Sequence, residues 1–361
     1  MLKVFRKFGF NTDLLKRQNT TTGGTQTGTT AAVSESNDSE FLEPVTVGGQ
    51  KFNLDFDTGS SDLWVFSTSL SQQTIGQHSA YDPTKSNTVQ PMQGATWQIS
   101  YGDGSGAAGT VVTDQVNIGG ATVTTQAVEM ATALSQSFVQ DTDNDGLVGL
   151  AFSKLNTVRH DLISKLVQPT QQKTFFDNIM PSLQMPVFSV DLRGNSSAGS
   201  YTFGAIDQTK FQGSLTNVPV DNSQGFWMVT SNSFAVGNQV QQNPQGSPAI
   251  ADTGTSLVLV DDNVAQAYYS QVPGATNNAQ VGGFTYSCNA QLPNFSVALG
   301  NYMATIPGNM VTFAQVDANT CFGGVQSNQG SGMQIYGDVM FKTQYVVFDG
   351  STPQLMLAPK A

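Results

Sequence analysis

Along most of the chain, apolar residues come in short runs of Val, Thr, Tyr and Phe that Gly interrupts. Such runs predict strands joined by turns, and together an all-β fold. Asn53 to Val65, NLDFDTGSSDLWV, shows the pattern in small. Leu54-Asp55-Phe56 alternates as a strand does, Thr-Gly-Ser-Ser is turn chemistry, and Leu63-Trp64-Val65 resumes the apolar run. Two stretches read as helix: 261–272, DDNVAQAYYSQV, which opens on acids, and 174–183, TFFDNIMPSL, with Thr174 placed to cap it. Residues 18–40 are rich in Thr, Gly and Ser and read as a linker, so the compact body is expected from Phe41.

Asp57 sits at the edge of the turn in the first stretch. Alone, it reads as a turn residue whose side chain takes backbone N–H bonds. A repeat changes that reading. LDFDTGSSDLWV at 54–65 matches AIADTGTSLVLV at 249–260, which places Asp252 195 residues beyond Asp57. GLVGLAF at 146–152 resembles QIYGDVMF at 334–341, and Gly149 and Gly337 follow their aspartates by 92 and 85 residues. Two motifs in the same order at similar spacing predict two related lobes. Two-fold pairing of the turns would bring Asp57 and Asp252 face to face. Carboxyls that close share a proton, so one can serve as general base on a water while the other donates to a carbonyl.

Composition narrows the function. Charged residues make up 11% of the 361, and the formal net charge is −11. Lys3, Arg6, Lys7, Lys16 and Arg17 cluster at the start, which leaves ten basic and 25 acidic residues beyond them. A body so acidic lacks the basic footprint that nucleic acid requires and suits work in acid. No segment has the apolar length of a membrane span. No signal peptide is legible, and the basic start reads as a removable piece with a processing site at Lys16-Arg17. Cys288 and Cys321 could form one disulfide. Asn-x-Ser/Thr stands at Asn19, Asn37, Asn195 and Asn294. His78 and His160 are isolated, so no metal or other cofactor is expected.

Over residues 41–361 the chain resembles the pepsin-like aspartic endopeptidases, specifically the fungal secreted branch. Both Asp-Thr-Gly turns carry the resemblance, with YGDGSGAAG at 101–109, QDTDNDGLVGLAF at 140–152, GGVQSN at 323–328 and KTQYVVFD at 342–349. The resemblance implies two β lobes around a cleft that holds an extended peptide. It divides the chain into a propeptide remnant and linker (1–40), an N-terminal lobe with a flap (41–215) and a C-terminal lobe (216–361). Asp57 and Asp252 would be the catalytic dyad. Thr58 and Thr253 would brace it between lobes, Gly59 and Gly254 would permit close backbone approach, and Ser60 and Thr255 would bond the outer carboxylate oxygens. Tyr101 would cover substrate from the flap and bond to Trp64, with Gly102 and Asp103 contacting substrate and Phe138 and Leu147 lining apolar pockets. Cys288–Cys321 matches the branch's disulfide. The implied protein is a pepstatin-sensitive monomer made as a zymogen, acting on proteins or peptides, and secreted, with the vacuole as the alternative.

Two departures stand out. Residues 159–167, RHDLISKLV, interrupt the resemblance, either as a surface loop or as translated intron sequence. Tyr336 stands where a smaller apolar residue is usual, which changes packing under the second lobe. Two other functions compete with this reading. A non-catalytic relative would lack an Asp or Tyr101, and a glycoside hydrolase, which also uses two carboxyls, does not predict duplicated Asp-Thr-Gly turns.

Overall fold

The computed structural model describes residues 24–35, 38–161 and 167–361. Strands dominate, as the apolar runs predict. One sheet of 15 strands runs through the molecule. At one edge lies the hairpin Arg159–Asp161 and Val167–Pro169; at the other, Gln344–Asp349, Gln354–Pro359 and Thr216–Pro219. The proposed lobe boundary at 215/216 therefore falls just before a strand that pairs with the C-terminal strand Gln354–Pro359. The later part of the chain adds a five-stranded sheet and two four-stranded sheets. Their shared core contains Phe56, Tyr201, Trp227, Tyr268, Tyr336 and Phe348, each at most 1% exposed.

Helices are short. Thr174 caps Phe175–Ile179 by accepting from the Asp177 amide, as its position predicts. The predicted helix at 261–272 is regular from Asp262 to Tyr269 and ends in a turn. Among the described residues no helix is long and apolar enough to cross a membrane. Cys288 and Cys321 form a disulfide that joins strands Gly283–Ser287 and Thr320–Gly323 close to their paired ends.

Two expectations need correction. The linker read at 18–40 is in part sheet. Gly28–Ser34 is a strand, paired with Gly199–Phe203 on one side and Phe41–Val47 on the other. Its inward positions are Gly28, Thr30 and Ala32, which bury little apolar surface and leave no hydrophobic alternation to read. Gln26 is also tied down, exchanging bonds with the Thr122 backbone and donating its amide to the Ser182 carbonyl. Lys16-Arg17, Asn19 and Asn37 lie outside the described residues. The second correction concerns 159–167, whose described part is sheet rather than loop: Arg159–Asp161 pairs with Val167–Pro169, and Ala95 and Thr96 pair with His160 and Arg159, while 162–166 lie outside the described residues.

Tyr336 fits through a partner the sequence did not suggest. It is fully buried, and its hydroxyl lies 2.5 Å from Ser231 Oγ. His78 is structural, stacked on Phe66 at 3.9 Å with its ring nitrogens facing the carbonyls of Asn144 and Val139.

Glu43 is fully buried, and neither carboxyl oxygen has a well-formed hydrogen bond, the Phe56 N–H making only a weak approach. Burial pushes its pKa well above the usual range, reinforced by Asp55, Asp338 and Glu40. A raised acid stabilises the fold below its unfolded pKa, near 4.5, and that stability is lost as pH rises towards the folded value. Glu43→Gln, which cannot ionise, is therefore expected to be more stable than the parent at pH 7. The gain should shrink below pH 4, as measured by urea unfolding at both values.

Candidate active site

Strand Gln50–Asp57 ends on Asp57, and Leu63–Val65 leaves the turn that follows. Between these arms passes Gly146–Gly149, parallel to the first (Asp57 opposite Gly149) and antiparallel to the second (Leu63 opposite Val148). The second turn is built alike. Gln334–Tyr336 runs parallel to Ala249–Ala251 and antiparallel to Val258–Val260. The repeated apolar-apolar-Gly is thus the strand that threads each turn. Glycine is required by close approach: a Cβ on Gly149 would lie 2.5 Å from Ser61 Cα, and one on Gly337 would strike the Thr255 carbonyl. The threading strands also position the acids. Leu150 N–H donates to the Asp57 carbonyl at 2.7 Å, and Asp252 N–H donates to the Tyr336 carbonyl at 3.1 Å.

The two turns meet through their threonines. Thr58 N–H donates to Thr253 Oγ1 at 3.2 Å, and Thr253 N–H donates to Thr58 Oγ1 at 3.0 Å. Each hydroxyl also reaches across, Thr58 to the Ala251 carbonyl at 2.8 Å and Thr253 to the Phe56 carbonyl at 2.5 Å. All four bonds are buried, where unmade ones would each cost about 1–3 kcal/mol.

This bracing sets the carboxyls against each other. Asp57 and Asp252 are 5% and 7% exposed and lie within hydrogen-bonding reach. Gly59 N–H and Ser60 Oγ donate to Asp57; Gly254 N–H and Thr255 Oγ1 donate to Asp252 at 3.0 and 2.8 Å. Burial first, and then the Asp57 charge, hold the Asp252 pKa well above the usual range. Each turn glycine faces the other lobe's acid. A Cβ on Gly59 would lie 2.5 Å from Asp252 Oδ1, and one on Gly254 would strike Asp57 Oδ1.

A hairpin stands over the site. Its arms are Gln90–Ser100 and Gly106–Ile118, and its tip holds Tyr101, Gly102 and Asp103. Trp64 Nε1 donates to Tyr101 Oη at 2.8 Å, so the arm that leaves the Asp57 turn anchors the hairpin tip. Phe138 sits edge-on to both rings, at 5.0 Å from Trp64 and 5.8 Å from Tyr101. Leu147 is buried in the same apolar cluster. Asp103 is exposed, and its carboxylate accepts from the Ser105 amide and hydroxyl, which stabilises the tip turn. Gly102 has open space around it.

One group near the site was missed from sequence. Asp62, Glu129 and Asn156 form a buried polar network behind Trp64. Glu129 lies in the run Gln126–Ala131, all buried, and a lone acid in an apolar run is the signal that could have revealed it.

The model of the eukaryotic aspartyl protease family matches residues 40–360. Aspergillopepsin-1 of Aspergillus fumigatus is 49% identical over 336 residues, which cover 92% of this chain and 82% of the relative. Penicillopepsin-1 of Penicillium janthinellum is 50% identical over 326 residues, covering 90% and 96%. Aspergillopepsin-1 of Aspergillus oryzae is 48% identical over 335 residues, covering 93% and 82%.

Gly254→Ala should push the second turn off the Asp57 carboxyl. A displacement of about 1 Å is expected to lower kcat/KM by about 100-fold while circular dichroism stays native. Near-normal turnover by the folded variant would show that the turns need not approach so closely.

Proposed function

The chain belongs to the eukaryotic aspartyl protease family and is a pepsin-like aspartic endopeptidase; we propose that it cleaves proteins at acidic pH with a water activated between Asp57 and Asp252. The observation that carries this reading is the contact of two buried carboxyls at the crossing of two braced turns. Asp252 keeps its proton because ionising it would place a second charge in a desolvated site beside Asp57. In the proposed reaction Asp57 takes a proton from the water, whose oxygen attacks the peptide carbon. Asp252 protonates the carbonyl oxygen, giving a neutral tetrahedral diol. Asp57 then gives its proton to the leaving nitrogen as the C–N bond breaks, a diol hydroxyl returns a proton to Asp252 as the carboxylic acid forms, and no covalent enzyme intermediate forms.

The sign of the pH dependence follows. Asp252 is needed protonated and its pKa is raised, so kcat should hold through the acid range and fall as pH rises through that raised value. Asp57→Asn and Asp252→Asn are each expected to abolish nearly all cleavage of denatured haemoglobin near pH 4 while the fold survives. Pepstatin should inhibit the parent protein, and a polysaccharide should remain uncut. Normal proteolysis by either folded variant would remove the dyad from the mechanism.

Bulky apolar residues on both sides of the cut bond are the proposed preference, with Lys tolerated on the acyl side. Support comes from the apolar surface of Phe138 and Tyr101 beside the exposed Asp103. A peptide library cleaved mainly at small or acidic residues would contradict it.

The proposed setting is secretion as a zymogen. Gln26 and Gly28–Ser34 are hydrogen-bonded into the body, so processing should stop before them. N-terminal sequencing of the mature protein should therefore find a start upstream of Gln26, with the cluster of five cations removed. A stable, active product that begins after Ser34 would refute this boundary.

A further inference from the structure

Besides the dyad, a second pair of buried carboxyls lies close to the site. Asp62 and Glu129 are both fully buried and within hydrogen-bonding reach of each other. Asn156 fixes their roles. Its Oδ1 accepts from the Gln172 and Val158 amides at 2.8 and 3.2 Å, so its NH2 must face the acids. That group reaches Asp62 Oδ1 at 2.7 Å and Glu129 Oε1 at 2.8 Å. Asp62 also accepts from Thr157 N–H and Thr157 Oγ1, both at 2.8 Å. Asp62 thus has three donors, as an ionised carboxylate needs. Glu129 has one, and its Oε2 has none. A proton on that oxygen, donated to Asp62, satisfies it.

The pair is wired to the hairpin anchor. Asp62 stands two residues before Trp64, and its carbonyl accepts from Gly149 N–H at 2.8 Å. The Glu129 backbone lies opposite Trp64 in the sheet. We propose that Glu129 is a positioning residue: as a neutral acid bonded to Asp62 it holds the arm Ser61–Val65 in place, and with it the Trp64 indole that anchors Tyr101. This rests on the reading of the hairpin tip as the cover over bound substrate.

Neutrality is conditional on pH. The charged and titratable groups that face the pair are Asp57 from the first turn, Tyr101 from the hairpin, and the two acids themselves; Asn156 and Thr157 add only neutral donors. Among the described residues no cation acts on Glu129, and Lys154 and Arg159, the cations that flank Asn156 along the chain, are exposed. Burial pushes Asp62 up to about 6 and Glu129 well above the usual range. Below about pH 6 both acids are protonated; as pH rises Asp62 ionises first, on its three donors, and once Glu129 also loses its proton to solvent two unscreened carboxylates repel each other across the seam that carries Trp64. Substrate binding should weaken, whereas the chemical step, governed by the dyad, need not follow.

Glu129→Gln tests this directly, because an amide reproduces the neutral acid: its oxygen can accept from Asn156 and its NH2 can donate to Asp62 at every pH. KM and kcat for one apolar peptide substrate are measured from pH 3 to 7.5, alongside thermal unfolding. In the parent protein KM should climb with pH. In Glu129→Gln that climb should move up by half a pH unit or more, which is about threefold in KM one unit above the parent midpoint. The kcat profile should stay in place. A KM profile that does not move overturns the proposal, and so does a higher melting temperature with unchanged KM, which would mark a purely structural role. If Glu129→Gln does not accumulate folded, Asp62→Asn, which removes the facing charge, carries the same expectation. Trp64→Phe separates the two readings. It should raise KM at all pH values, and if it does not, the hairpin-cover reading fails rather than the proton pair.

Discussion

The two lobes hold their site together because neither Asp-Thr-Gly turn can satisfy its own threonine. Thr58 and Thr253 each offer an amide and a hydroxyl to the other lobe, and each hydroxyl ends on a backbone carbonyl across the divide. Buried polar groups left without partners are costly, so the turns are stable only in contact. Contact then places each turn glycine under the opposite carboxyl, where a side chain would collide. The close approach that makes the acids share a proton is therefore a consequence of backbone bonding. The aspartates are brought together against their own repulsion by neutral groups that have no other way to be satisfied.

The same tension runs through the acids of the whole chain, which fall into two populations. Asp82, Asp207, Asp221 and Asp317 cap turns, and hydrogen bonds from hydroxyls and amides two or three residues on lower their pKa values. Those turns keep their charged acceptors as the solution becomes acidic. Glu43, Glu129, Asp252 and Asp338 are buried, and desolvation raises them. Those groups stay neutral until the solution becomes less acidic. By linkage, the first set gives stability that is present above the unfolded pKa and is lost as pH falls through the lowered values, whereas the second withdraws stability as pH rises. It is the buried acids that favour the fold in acid, and a low charge density with few cations limits the repulsion that protonation of the surface would otherwise expose.

How far the sequence could be read depended on what each position buries. The Asp-Thr-Gly turns were legible because they occur twice, in register with the apolar-apolar-Gly strands that thread them. Thr174 was legible as a cap because capping is local. Strand Gly28–Ser34 was not, since its inward residues are Gly28, Thr30 and Ala32 and its hold on the sheet is backbone pairing with distant segments. The hairpin at 159–169 was hidden for a similar reason: its pairing partner at Ala95 and Thr96 is more than 60 residues away. Glu43 and Glu129 were passed over for a different reason. A single acid in an apolar run is easily taken for a solvent-facing position, and only its apolar neighbours signal that both are buried, where protonation lets a carboxyl behave as a small polar neutral group.

That last property explains why the two-fold repeat stops where it does. Both lobes supply an aspartate, a threonine brace, a turn glycine, a hydroxyl donor and a threading strand, and these are the parts that must match for the turns to cross. Around them the lobes diverge. The first surrounds its turn with Trp64, Tyr101, Phe138 and the Asp62–Glu129 pair, which together form a hydrogen-bonded aromatic cover. The second packs Tyr336 against Ser231 at the corresponding depth, fully buried and away from solvent. Symmetry is thus confined to the groups that hold the two carboxyls at one distance. The covering groups lie beside the first turn only, and in the proposed reading this is the side on which an extended chain is held.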